Sequence, residues 1–149
     1  MINGLLIDTH IWLWFASLNP RLHQPGRTAI DAAIRSGRLR VSVISLLEIS
    51  QLEAAGRLHL NMPVEEWVQA TLTLPGLKVI ELELPIILDA HRLPGIFHKD
   101  PANRILVATA RHHELTLLSE DKKILEYAQQ GYVHACSSTE KGQFPPPAS

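Results

Sequence analysis

The apolar and polar positions of the chain fall into two alternating kinds of segment. Short segments rich in apolar residues occur at 5–7, 39–44, 77–82, 115–118 and 132–136, the one at 39–44 alternating with polar positions, and between them lie longer stretches with apolar residues three and four apart. Runs of that length suit strands buried on both sides, and the longer spacing suits helices with one packed face. The pattern predicts a strand at 5–7, then a helix that opens at Thr9 or His10 and carries Ile11, Trp12, Leu13, Trp14 and Phe15. A helix at 28–35 closed by Gly37, a strand at 39–44, and a helix opening at Ser45 follow, with Ile49, Leu52 and Ala55 on its packed face and Gly56 as its stop. Pro63 starts another helix, 77–82 is the third strand, and a helix at 85–93 is broken by Pro94-Gly95. Asp100 stands as an N-cap with Pro101 in the first helical position, and that helix runs to Ala110. A strand at 115–118, an amphipathic helix at 122–130 stopped by Gly131 and a last strand at 132–136 complete the series. Regular alternation of strand and helix predicts an α/β fold with a mainly parallel central sheet and helices on both faces. One domain over 1–136 is expected, followed by a loose polar, proline-rich tail at 137–149.

Composition narrows the classes. At 149 residues, 46% hydrophobic and 19% charged, the chain suits one globular domain. A net charge of -1 provides no overall basic field, so nucleic-acid binding would need a local patch. The one basic stretch holds Arg21, Arg27, Arg35, Arg38 and Arg40 against a single acid, Asp31; it is either a solvated face or a set of phosphate contacts. Cys136 has no second cysteine with which to pair, and no signal pattern opens the chain, so a reducing cytoplasm is expected. No apolar run approaches the roughly 20 residues that span a bilayer. Gly-rich phosphate loops, paired-cysteine zinc spacings and a Gly-x-Ser-x-Gly elbow are all missing from the sequence. The histidines show no ligand spacing: His10, His91 and His98 are scattered, and His112 and His113, adjacent on one helix, are expected to face different ways.

Acids supply the chemical signal. Asp8 ends the first strand, Glu48 lies early in the helix after the second, Asp100 caps the helix before the fourth strand, and Asp121 follows that strand. Three of them also have a purely structural explanation: Asp8 and Asp100 as caps, and Glu48 as the partner of Ser45 in a capping box. Together they fall on the carboxyl edge of the predicted sheet, where α/β proteins bind ligands. Clustered carboxylates repel unless a cation sits among them, and an all-oxygen set selects Mg²⁺ or Mn²⁺. Such an ion activates water and neutralises a phosphoryl oxygen, the requirements of phosphodiester hydrolysis. Asn103 projects from the same helical turn as Asp100 and adds an oxygen donor, while Thr9 and Ser119 stand beside the acids as supporting hydroxyls.

The stretches Leu-Ile-Asp8-Thr-His, Ser-Leu-Leu-Glu48-Ile-Ser with Gly56-Arg57-Leu58, His98-Lys-Asp100-Pro-Ala-Asn103-Arg-Ile-Leu-Val-Ala-Thr-Ala, and Leu-Leu-Ser119-Glu-Asp121 occur in that order. In this order the chain resembles the PIN-domain ribonucleases of the VapC toxin kind from about Leu5 to Cys136. The resemblance implies a PIN-like parallel sheet, a Mg²⁺ or Mn²⁺ site made by Asp8, Glu48, Asp100 and Asp121 with Asn103 beside them, cleavage of RNA, a homodimer and silencing by a cognate antitoxin protein. Arg104, in the same motif, joins the arginines as a candidate RNA contact. Trp12, Trp14 and Trp67 offer more aromatic surface than a small core is expected to hide, which favours the dimer. One position departs from the family pattern Asp-Pro-x-Asp-Arg: Asn103 stands where the second aspartate belongs, bringing an oxygen without charge. Two alternatives stay open: a non-catalytic PIN-fold protein that binds RNA or a partner, which Asn103 favours, and a phosphoaspartate phosphatase or receiver with Asp8 as nucleophile.

Overall fold

Asp8, Ser42, Asp100 and Asp121 each begin a helix where a strand or loop ends, and these four caps set the frame of the molecule. The computed structural model describes residues 3–140 of the chain. Five strands, β1 (Gly4–Ile7), β2 (Leu39–Ser42), β3 (Leu77–Ile80), β4 (Leu115–Leu118) and β5 (Ala135–Cys136), form one sheet in the order β3-β2-β1-β4-β5. All neighbouring strands are parallel. The connections carry α1 (Thr9–Ala16), α2 (Gln24–Arg35), α3 (Val43–Ala54), α4 (Val64–Leu72), α5 (Leu84–His91), α6 (Pro101–His113) and α7 (Lys122–Gln129). The predicted α/β class, with a parallel sheet covered on both faces, is the fold observed.

Strand alternation divides the core. Leu5 and Ile7 point into one layer with Ile11, Trp12, Ile30, Val41 and Ile49, whereas Leu6 and Leu117 point into the other with Ile86, Leu106, Val107, Ile124 and Tyr127. Each fully buried aliphatic side chain of this kind stabilises the fold by about 1.5–3 kcal/mol. β1 begins at Gly4 because the strand passes close to its neighbour there: a Cβ would stand 2.5 Å from the Arg38 carbonyl oxygen.

Several predicted boundaries move, each for a local reason. The second strand stops at Ser42 instead of 44, since the Ser42 hydroxyl accepts from the Ile44 amide at 3.1 Å and caps α3 two residues ahead of Val43-Ile44's strand preference. Ser45 is therefore fully buried inside the first turn of α3, and its capping box with Glu48 does not form. α2 begins at Gln24, four residues before the expected start, with Pro25 in its first turn. Trp12 is a core residue, 2% exposed and stacked at a tilt on Trp67 with ring centroids 5.4 Å apart, so it offers no surface for a dimer; Trp14 and Trp67 are half-buried. The chain stays docked past residue 136. Ser138 is fully buried, its amide donates to Glu120 Oε1 at 2.6 Å, its carbonyl accepts from Gly26 N at 2.9 Å, and its hydroxyl accepts from His23 N at 3.1 Å. The predicted loose tail thus cannot start at 137, and its remainder at 141–149 lies outside the described residues. Among the described residues no helix is long and apolar enough to cross a membrane.

Candidate metal centre

From β1 the chain leaves toward β2 on one side, and it returns at β4 on the other side of β1. This reversal leaves a crevice at the carboxyl ends of β1 and β4, which pair in register through Ile7 and Leu118. Asp8 and Ser119 consequently emerge side by side. The Asp8 amide donates to the Leu118 carbonyl at 3.2 Å, its carboxylate caps α1 by accepting from Ile11 N at 2.9 Å, and the Ser119 hydroxyl hydrogen-bonds to the same carboxylate. Ser119 Oγ also accepts from the Asp121 amide at 3.0 Å, so one buried serine orients both acids.

Glu48 reaches the crevice from the second turn of α3. Thr9 donates its hydroxyl to Glu48, and the buried Ser45 hydroxyl lies 2.9 Å from Thr9 Oγ1. Thr9 thereby steers Glu48 toward the end of β1. Asp121 caps α7 through Oδ1, which accepts from Lys123 N at 2.9 Å and Ile124 N at 3.0 Å. Asp100 caps α6 by accepting from Asn103 N at 3.2 Å. Cap and candidate ligand are the same residue at three of the four acids. All four, together with Asn103, line one open cavity of about 340 Å³.

None of the described residues lining that cavity is a lysine or an arginine. Burial pushes the Asp8 carboxyl up to about 6 against hydrogen bonds from Ser119 and Ile11 and the nearby His10, and the charge of Glu48 adds to the rise. A buried acid facing a second acid with no resident cation is the environment a hard divalent ion relieves. Carboxylate and amide oxygens without a thiolate fit Mg²⁺ or Mn²⁺. The phosphoaspartate alternative wants a lysine at the nucleophile, and none of the described lining residues supplies one.

Asn103 takes a different posture from the oxygen donor expected. Its amide nitrogen donates to Asp121 Oδ2 at 3.2 Å and lies 3.2 Å from His98 Nε2. It holds Asp121 from the side and partly offsets its charge, which is the posture of a positioning group more than of a ligand. The arginines disperse. Arg104 spends its guanidinium on carbonyls, Nε to Ala90 at 2.8 Å and Nη1 to Phe97 and His98 at 3.1 Å each, so it straps α5 and the following loop to α6 instead of facing RNA. Arg27 lies over the Phe15 ring at 5.8 Å and donates to the Asn19 carbonyl. Arg35, Arg38 and Arg40 gather at the end of α2 and the start of β2, the edge of the sheet away from the acids; Arg38 donates to Asn3 O, and Arg40 folds back on Gly37 and Leu39. Arg21 is exposed beyond α1. No arginine cluster therefore forms at the cavity.

Sequence reasoning passed over His98, His10, Trp14 and Glu120. His10, Trp14 and Glu120 line the cavity, the first two with ring centroids 6.2 Å apart, and His98 touches Asn103. The signal available for each was its position within one to six residues of a candidate acid.

Fold and crevice together define a parallel α/β protein with a carboxylate-lined centre at the switch point of its sheet. The PIN domain model matches residues 5–130, and the chain belongs to the PIN-domain family. It is similar to ribonuclease VapC22 of Mycobacterium tuberculosis (strain ATCC 25618 / H37Rv), with 29% identity over 120 residues, 80% of this chain and 88% of the relative. Among solved structures, VapBC2 from Rickettsia felis bound to a DNA fragment from its promoter superposes with a TM-score of 0.65 at 12% identity, covering 92% of this chain and 98% of that one. A toxin-antitoxin complex from Klebsiella pneumoniae superposes with a TM-score of 0.61 at 17% identity, covering 91% and 98%.

Proposed function

We propose that the chain is a Mg²⁺- or Mn²⁺-dependent endoribonuclease that acts as the toxin of a toxin–antitoxin pair. The observation that carries this reading is the convergence of Asp8, Glu48, Asp100 and Asp121 on one cavity without a lining lysine or arginine. Those four acids would hold the ion, and the ion supplies an activated water together with charge neutralisation at the scissile phosphate. The chain's own residues prepare the site. Ser119 and Ile11 N fix the Asp8 carboxylate, Thr9 fixes Glu48, and Asn103 with the α7 amides fixes Asp121. Trp14 and His10 supply planar rings beside the acids on which an unpaired base stacks, favouring single-stranded RNA.

An antitoxin partner is supported by the two toxin–antitoxin complexes among the structural neighbours. A homodimer is supported by Leu84, Ile87 and Leu88, spaced three and four apart on α5 and all exposed. The cytoplasm is the expected compartment; Cys136 is buried there as an inert thiol, pushed up to about 12 chiefly by burial. Asn103 favours a second reading, a PIN-fold protein that binds RNA without cutting it, because an amide donor occupies Asp121 Oδ2.

Incubation of the purified chain with RNA, with Mg²⁺ or with chelator, separates these readings. Cleavage that requires the metal and falls at least a hundredfold in Asp8→Asn supports the nuclease. RNA binding without metal-dependent cleavage supports the second reading, and cleavage that survives chelation contradicts the metal mechanism.

A further inference from the structure

Glu83, His112 and His113 bring three metal-ligating side chains together at the far end of α6 from the acids. One donor atom from each lies within 4.8 Å of the others, and His113 Nε2 stands 3.2 Å from Glu83 Oε1. Two ligands of a tetrahedral zinc ion are separated by about 3.3 Å when each bond is about 2.05 Å, so the pair already spans one edge of such a polyhedron. His112 and His113 were expected to diverge as helical neighbours. At the last turn of α6 their rings instead meet edge to face, with centroids 4.9 Å apart.

The surroundings favour a cation. α6 ends here, directing the negative end of its dipole at the cluster, and Glu114 closes it in the left-handed conformation at φ 53. Asn3 anchors this turn by donating Nδ2 to the His113 carbonyl at 3.1 Å and its amide to the Glu114 carbonyl at 2.7 Å. Arg111, the nearest cation on the helix, is turned away to the Tyr132 carbonyl. Glu83 occupies the N-cap position of α5, yet its side chain makes no cap hydrogen bond and reaches across to His113. Glutamate is not a favoured N-cap residue, so this carboxylate is left available to the cluster.

We propose that Glu83, His112 and His113 form a second metal site, one that takes a borderline transition ion such as Zn²⁺ and leaves its fourth position to water. Two imidazoles and one carboxylate select Zn²⁺, Ni²⁺ or Cu²⁺ over the Mg²⁺ suited to the all-oxygen rim. The 13 residues of α6 keep the two sites about 20 Å apart. A bound ion ties the start of α5 to the end of α6 and stabilises that face of the molecule.

The test uses the full chain without a histidine tag, in excess Mg²⁺ to occupy the rim, with Zn²⁺ as the probe. Equilibrium dialysis should find one more Zn²⁺ per chain in the wild type than in the His112→Ala/His113→Ala double variant. The thermal midpoint should rise by roughly 5–10 °C at a hundredfold excess over Kd in the wild type alone. Co²⁺ should give the visible absorption of a tetrahedral nitrogen–oxygen site, lost in His112→Gln, a change at an exposed position that leaves the His113–Glu83 contact in place. RNA cleavage in Mg²⁺ should be the same for all variants. Equal Zn²⁺ stoichiometry and equal midpoint shifts in wild type and variants would overturn the proposal.

Discussion

Asn103 concentrates the chemistry of the rim in one side chain. Its amide donates to Asp121 Oδ2 at 3.2 Å, so Asn103→Asp removes a donor and sets two carboxylates against each other. In chelator this variant should lose roughly 1–3 kcal/mol of stability, seen as a lower melting temperature; in Mg²⁺ the loss should reverse and RNA cleavage should rise. A residue that merely occupied the third helical position would be stabilised by its new charge in both buffers, by about 0.3–1 kcal/mol. Asp8 adds a pH signature. Its folded value of about 6 exceeds its unfolded 3.8, so between those values the folded metal-free chain binds more protons than the unfolded one, and stability falls as pH rises through the window. Asp8→Asn should therefore stabilise the chelated protein at pH 7 by at most about 2–3 kcal/mol and flatten this dependence, as melts across pH 4–7 would measure, while abolishing cleavage. The four acids were legible in the sequence because strand ends and caps can be located from local pattern. Which way the Asn103 amide points, and that His112 and His113 meet, depend on neighbours 18 and 30 residues away in sequence, Asp121 and Glu83, which no local pattern contains.

At the scale of elements, periodicity and capping chemistry specified most helices and strands, and the errors arose where two local preferences competed. Val43 and Ile44 favour a strand, but the Ser42 cap and the packing of Ile44 against the sheet start α3 there. Arg104 shows the limit of reading charge alone. It looked like an RNA contact, whereas three carbonyls on α5 and the following loop capture it. Arg104→Lys cannot reproduce the guanidinium fork and should cost roughly 2 kcal/mol, with amide hydrogen exchange quickening at 92–98. If that variant instead kept its stability and lost affinity for RNA, the strap would be the wrong account.

Across the whole molecule, the parallel order was expected from alternation alone, but the docking of residues 137–140 was not, since serines give no periodic signal. A chain ending at 136 should unfold more readily by roughly 2–4 kcal/mol, because it abandons the three hydrogen bonds that Ser138 makes to Glu120, Gly26 and His23, while a chain ending at 140 keeps them. Denaturant melts of the two truncations would compare them directly. The exposed α5 face makes a second molecular prediction: Leu88→Asp should convert a dimer into monomer in light scattering, without lowering the monomer's melting temperature. The central claim, that the rim hydrolyses RNA with a metal-activated water, bears most directly on the product ends. An RNA carrying a single 2′-deoxy sugar beside its cleavage site should still be cut in Mg²⁺, stop being cut in chelator, and leave no 2′,3′-cyclic phosphate. A cyclic phosphate end, or protection of the deoxy substrate, would contradict it, because the nucleophile would then be the RNA's own 2′-hydroxyl.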